Sequence, residues 1–414
     1  MTTCPRPIAA GGGASCHARA LQKTMPTLPQ GLLLAACLCE QEVATPAWGA
    51  FIDMVGDVKR YFESDRTGLK GLLPFVESRL AANGIYSGKV FHTYARVASV
   101  REALRSQIYA EILAKTLDAL SSAGVEVILL KGGAVSATVY PQPSWRHNHA
   151  IDLLVDSSAM VRANGVLQAQ QFVRQPSGSG AADHHSFRHS TGLALGLHAR
   201  PFYLPHFDMP LDEVGSRAEA LSLGETSTRV LSPEDCLVHV CGHSVYSRSR
   251  STLRWACDAY YLVQNSRTLD WDRVVETAAY GRLVVPMLVS LRWLKETLHA
   301  RIPATVLSEL ERRAGNLDAV AVEGINAALL HSSASLRRSF GWANTSLRSA
   351  LVFLKFCIVP SFRYMRWKYD VGNWTLPYYY VLRPLKFSAR SIRGSVTRLQ
   401  NSYRRRTWGA GAVS

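Results

Sequence analysis

The apolar positions of this chain recur at helical spacing over most of its length and break that rhythm only in the middle. Leu32, Leu33, Leu34, Cys37 and Leu38 form one stripe, and Phe51, Ile52, Met54, Val55, Val58 and Phe62 continue it at three-to-four spacing. Residues 103–120 predict another amphipathic helix, with Leu104, Ile108, Ile112, Leu113 and Leu117 on one face. The pattern then changes. Residues 125–130 (VEVILL) form a short β-branched and aliphatic run after Gly124, and residues 151–155 (IDLLV) form a second. Residues 192–197 (GLALGL) predict a third strand, weakened by its glycines. At Ser232 the helical pattern returns, with Ser232 at the N-cap, Pro233 at the first helical position and Glu234 and Asp235 in the first turn.

This order predicts an α+β fold. A small mixed β-sheet of about four or five strands is flanked by N-terminal helices and a larger C-terminal helical domain. Residues 1–28, rich in Gly, Ala and Pro and without periodicity, read as a disordered leader. Residues 29–118 read as an N-terminal helical section, 119–230 as the α/β core, 231–335 as a helical domain and 336–414 as a basic, aromatic-rich helical tail.

Composition narrows the setting. A chain of 414 residues with 47% hydrophobic and 19% charged residues is an ordinary globular composition. No apolar run reaches the roughly 18 uncharged residues of a membrane span; the longest, residues 349–360, carries Lys355. Gly11, Gly12 and Gly13 stand where a secretory signal has its apolar stretch, and eight cysteines over this length do not form a disulfide framework. The expected location is the cytoplasm, with peripheral attachment to a membrane as an option. The net charge of +16 is concentrated at one end. From Phe340 to Ser414 thirteen Lys and Arg face one acid, Asp370, which gives 13 − 1 = +12. Such an end attracts phosphates on nucleic acid, anionic lipid or a nucleotide, or serves as a solvated face. Trp367, Tyr369, Trp374, Tyr378, Tyr379 and Tyr380 alternate there with Arg363, Arg366, Lys368 and Arg383. That mixture suits a membrane interface or a nucleic-acid strand, or covers a helical core.

The candidate chemistry lies in a strand, a Gly-Gly turn, a helix, a loop and a strand. Lys131, Gly132 and Gly133 follow the first strand directly. Paired glycines let a backbone approach a triphosphate, and the amides of the helix start can hold its oxygens; the same pair is also an ordinary turn. In the second strand the period of two puts positions 150 and 152 on one face and Ile151 and Leu153 on the other. Elsewhere Cys236, His239 and His243 share a helix face, with Cys257 and Asp258 on the next helix, but the spacing matches no usual zinc pattern and fits packed core residues. Ser186 beside His185 and Ser244 beside His243 lack a nucleophile elbow.

The series Leu130-Lys131-Gly132-Gly133, Tyr140-Pro141, Arg146 and residues 150–155 (AIDLLV) resembles the core of an uncharacterised bacterial nucleotidyltransferase family of the polymerase-β-like superfamily. Residues 32–38, Leu197-His198, 231–235 (LSPED), His243, Leu253-Arg254-Trp255, Asp258, Leu269-Asp270-Trp271, 362–369 and 380–384 resemble further parts of it, so the likeness spans about residues 30–390. The resemblance implies transfer of a nucleoside monophosphate from an NTP to the hydroxyl of an unknown acceptor, assisted by Mg2+. It implies Lys131, Gly132 and Gly133 at the triphosphate and Asp152 as catalytic carboxylate and metal ligand. Arg146 would sit at a phosphate or brace the loop, and His198 would support the site from behind. The family pattern has carboxylates where this chain has Ala150 and Gly196, so the implied metal site is incomplete. Asn148, on the face of 150 and 152, is a weak substitute. Asp156 lies roughly 13 Å beyond Asp152 by strand rise, and Asp183, His184 and His185 stand near the third strand. Two readings follow: an enzyme with an altered metal site, or an inactive nucleotidyltransferase-like protein that binds nucleotide or assembles with an anionic partner through its basic end.

Overall fold

A computed structural model describes residues 14–65, 68–176, 183–245, 253–266, 268–332, 336–372 and 374–383. The chain is α+β, as its patterning predicts. The strands are β1 (Ile128–Leu130), β2 (Ala150–Leu154), β3 (Phe172–Arg174), β4 (His184–His189), β5 (Ala194–His198), β6 (Glu219–Leu223) and β7 (Thr226–Val230), and they form one mixed sheet in the order β3-β4-β5-β2-β1-β7-β6. β1 runs antiparallel to β2 and parallel to β7, β2 runs parallel to β5, and three antiparallel pairs complete the sheet. Seven strands exceed the four or five expected. The additional ones, among them β3 (FVR), β4 (HHSFRH) and β6 (EALSL), are short and polar, and pairing with neighbours rather than their own apolar content makes them strands.

Each face of the central strands has a different task. Leu129, Ile151, Leu153, Leu195 and Leu197 pack with Tyr109, Leu113 and Leu117 of the helix Lys89–Ser122 and with Met160, Ala163 and Leu167 of the helix Met160–Ala169. Asp152 stands on the alternate positions and meets Leu130 on one side and Gly196 on the other. Burial of the first set therefore fixes where the second set points.

The expected leader is corrected in part. Residues 1–13 lie outside the described residues, but Ala14–Gln22 is an α-helix, and Leu28–Leu38 opens with Thr27 as its cap. Alanine favours helix, and Ala18, Ala20 and Leu21 are buried. This helix packs against Val284–Leu298, Ala319–Ser332 and Leu336–Ala343. Lys23 Nζ donates to the carbonyls of Gly341 and Asn344 at 3.1 and 3.2 Å. The N-terminal and C-terminal helices thus share one apolar core, in which Leu33, Phe51, Trp255 and Trp293 are all buried. Ser232 caps the helix Pro233–Ser244, accepting from the Asp235 amide.

One buried ion pair ties the sheet's loop to the helical part. Arg146 gives two hydrogen bonds to Asp258, Nε to Oδ1 at 3.0 Å and Nη2 to Oδ2 at 2.7 Å, and Tyr140 donates to the same Oδ1 at 2.8 Å. Asp258 lies on the helix Arg254–Asn265, so the loop 140–148 is fastened to it. Breaking a buried pair leaves an uncompensated charge. Asp258→Ala is therefore expected to lose about 3–5 kcal/mol in urea denaturation; a loss under about 1 kcal/mol, the range of exposed pairs, would contradict this role.

Candidate active site

The site begins where β1 ends. Lys131 takes a left-handed backbone conformation, φ 53°, between β1 and the helix Lys131–Thr138. For a side chain other than glycine this is an unusual conformation. Its ammonium lies 2.7 Å from Asp152 Oδ1. His198 Nε2 approaches the same oxygen at 2.8 Å. Burial acts to raise the Asp152 carboxyl, but the Lys131 charge and the His198 hydrogen bond outweigh it and hold the group well below the usual carboxylate range. Asp152 is thus ionised, and its partner ammonium is supplied by the chain itself.

The histidines continue from this point in one direction. Burial lowers the His198 imidazole, with Lys131 acting the same way, and burial and His198 bring His184 down to about 3. Both rings are neutral near pH 7. A neutral His198 facing an ionised carboxylate donates from Nε2, so its Nδ1 accepts. His184 Nδ1, at 2.9 Å, is then the donor to His198. That leaves His184 Nε2 to accept from Ser186 Oγ at 3.3 Å. Ser186, His184, His198 and Asp152 form a single hydrogen-bonded chain across β4, β5 and β2.

Gly196 makes room for this chain. A Cβ there would lie 2.7 Å from His198 Nε2, 3.0 Å from Asp152 Oδ1 and 3.3 Å from His184 Cε1. The imidazoles occupy the space that a side chain at 196 needs. Gly132 has a comparable constraint. A Cβ on it would lie 2.2 Å from Asn148 Oδ1 and 2.6 Å from Arg146 Nη1. The chain's own side chains thus take the close approach to Gly132 that was expected of a phosphate. On Gly133 a Cβ would meet Tyr109 Oη at 2.9 Å.

The remaining sequence candidates separate clearly. Arg146 is a brace to Asp258, and its Nη1 is spent on the His147 carbonyl and on Asn148 Oδ1. Asn148 is buried and also donates to Ser136 Oγ at 3.0 Å. Ala150 pairs with Ala194 in the sheet, and its carbonyl accepts from Tyr109 Oη at 3.2 Å. Asp156 caps the short turn Ser157–Ala159 away from the site. Cys236 is a buried core residue, and His239 Nε2 donates to the Pro201 carbonyl at 3.1 Å. Among the described residues no group of three or more His, Cys, Asp or Glu is placed to hold a metal ion.

Two openings flank Asp152. A cleft of about 70 Å3 runs between Lys131, Gly132, Arg146, Asn148 and the helix bearing His239 and His243. On the His198 side lies a cavity of about 690 Å3, walled by His184, Arg200, Tyr203, Arg363, Arg366 and Trp367 and rimmed by Asp183 and Asp370. The sequence reading placed His184 near the third strand and Ser186 beside His185, but did not foresee their hydrogen bonds to His198 and to each other. The pairing of His184 with His198 joins β4 to β5 and so had no signal in the local sequence.

This sheet, with its glycine turn facing a strand carboxylate, is a nucleotidyltransferase-like arrangement. The profile of a family described as uncharacterised nucleotidyltransferase matches residues 69–299, or 231 of the 414 residues, and the chain belongs to that family. The match holds Lys131, Asp152, Gly196 and the whole sheet. No curated protein matches the chain.

Two predictions test this geometry. Gly196→Ala forces His198 off Asp152 and is expected to destabilise the fold by about 1–3 kcal/mol, with a shifted His198 imidazole resonance; an unchanged resonance would contradict the packing. The second concerns pH. Burial lowers His184, His239 and His331 to about 3, and lowers His198 and His243 as well. In the unfolded chain these groups take up protons near pH 6.5. The unfolded state therefore gains protons first, and stability falls as pH drops below about 6.5. Asp152 adds a second fall below about pH 4, where the unfolded carboxyl is protonated before the folded one. Urea midpoints should already be lower at pH 6.5 than at pH 8, since each half-protonated unfolded histidine costs about 0.4 kcal/mol, and clearly lower again at pH 5.

Proposed function

We propose that this chain keeps the polymerase-β-like nucleotidyltransferase scaffold without its two-metal reaction, and works as a binding protein for a small phosphate-bearing ligand. The observation that carries this reading is the shared oxygen of Asp152, held by both Lys131 and His198. Mg2+ takes about six hard oxygen ligands in octahedral geometry. Around Asp152 the chain offers one carboxylate, a methyl at 150 and a hydrogen at 196. An ammonium 2.7 Å from that carboxylate places positive charge where a divalent ion would need to sit. These residues do not fit a pair of Mg2+ ions, and no step is derived through them.

The cavities support the same reading. The cleft over Gly132, at about 70 Å3, is far below the range of about 300–1,000 Å3 that holds small ligands. The neighbouring cavity, at about 690 Å3, is within that range. Arg363 and Arg366 offer guanidinium groups to a phosphate there, and Tyr203 and Trp367 offer ring faces to a base or sugar. Lys131, Gly132 and Gly133 then serve the fold and the neutralisation of Asp152.

Calorimetry with ATP, GTP, CTP and UTP, with Mg2+ and with EDTA, separates this from catalysis. The expected result is nucleotide binding that is indifferent to Mg2+, within two-fold of wild type in Asp152→Asn, and about ten-fold weaker in the double variant Arg363→Gln/Arg366→Gln, as loss of charge-assisted contacts implies. Pyrophosphate release that needs Mg2+ and disappears in Asp152→Asn would instead establish an enzyme with an altered metal site.

A further inference from the structure

The helix Leu347–Ile358 is apolar on two sides. Ala350, Phe353, Phe356 and Cys357 are buried against the rest of the molecule. Leu347, Leu351, Leu354 and Ile358 point the other way and are 78%, 56%, 46% and 45% exposed. At 3.6 residues per turn these four fall within an arc of about 60°. Val359 and Phe362 continue the exposed row. The helical stretch 376–383 is anchored beside its end, where Tyr380 Oη donates to the Pro360 carbonyl and Arg383 Nε to that of Cys357, both at 2.9 Å. From this stretch Tyr378 and Val381 face outward, and Trp374 just before it is 98% exposed. Unbroken apolar rows of this size are uncommon on a lone protein surface and mark a contact.

The charge around the row identifies the contact. Arg348 and Lys355 flank it on the same helix, and Arg363 and Arg366 follow. Among the described residues from 340 to 383, six Lys and Arg stand against Asp370 alone, 6 − 1 = +5. A nucleic-acid strand would use the arginines and aromatic rings, but has no use for a row of leucine and isoleucine. An anionic bilayer uses both, with aliphatic side chains among the acyl chains, Trp and Tyr at headgroup level, and Lys and Arg on the phosphates. The helix has 12 residues and no described helix is long and apolar enough to cross a membrane, so this element lies in the interface.

We propose that the outer face of Leu347–Ile358, with Trp374, Tyr378 and the flanking Arg348 and Lys355, docks the protein on anionic phospholipid. The inference is independent of whether Asp152 takes part in catalysis. Full-length protein is sedimented with vesicles of phosphatidylcholine containing 30% phosphatidylserine, and with vesicles of phosphatidylcholine alone. Binding is expected to the anionic vesicles, weaker by about ten-fold or more in the double variant Leu351→Glu/Leu354→Glu, whose side chains are outside the core. Tryptophan emission should shift to the blue with the vesicles, and Trp374→Phe should reduce the shift. Circular dichroism melts identify any variant that fails to fold, in which case Leu351→Ser/Leu354→Ser replaces it. Three results would overturn the proposal: no sedimentation with anionic vesicles; equal binding by folded wild type and double variant, which assigns attachment to charge alone; or a wild-type dimer that the double variant dissolves without vesicle binding, which makes the row a contact between two copies.

Discussion

The ion pair between Lys131 and Asp152 governs this structure's central sheet. It joins the turn after β1 to the middle of β2, and it settles the charge of the only carboxylate on that part of β2. Once Lys131 neutralises Asp152, the neighbouring imidazoles have no reason to be charged, and burial keeps them neutral. Their hydrogen bonds then run one way from Ser186 to the carboxylate. Gly196 belongs to the same arrangement, since any side chain there would displace the rings. The absence of a carboxylate at 196 is therefore not a vacancy. Its space is filled by His198, His184 and the Asp152 carboxylate.

The same logic separates scaffold from reaction. Membership of the nucleotidyltransferase family rests on residues 69–299, and the elements that place Asp152 all lie inside that span. Arg146, which a transferase reading puts near a phosphate, is fully engaged by Asp258 and Asn148. The binding reading moves the ligand to the wider cavity, where arginines and rings from residues 362–372 meet the ends of β4 and β5. Residues 362–372 of that wall lie outside the matched span, and Arg200 and Tyr203 lie inside it.

Much of the fold was legible in the sequence. Strong aliphatic runs announced β1 and β2, a weaker glycine-bearing run announced β5, and Ser232-Pro233 announced a helix that begins at Pro233. β3, β4 and β6 were not legible, because their residues become strand-like only when a partner edge is available. Helix Ala14–Gln22 was hidden for a different reason: its alanines give a weak periodic signal, and its stability comes from packing on distant helices. Within the site, Lys131 and Asp152 lie 21 positions apart and belong to one motif, so they could be picked out together. The pairing of His184 with His198 and the brace from Arg146 to Asp258, across 112 positions, required the register of strands and the packing of helices.

The packing of the first helix also bears on how the molecule is made. Lys23 reaches Gly341 across 318 positions of sequence, and Ala18, Ala20 and Leu21 are buried against helices that begin at Val284 or later. During synthesis that apolar surface leaves the ribosome well before the helices it packs against, which begin at Val284. Contacts of such long sequence separation form slowly, and surface left waiting is open to wrong partners. Helix Ala14–Gln22 therefore gains the packing that holds it only once the chain through Ala343 has been made.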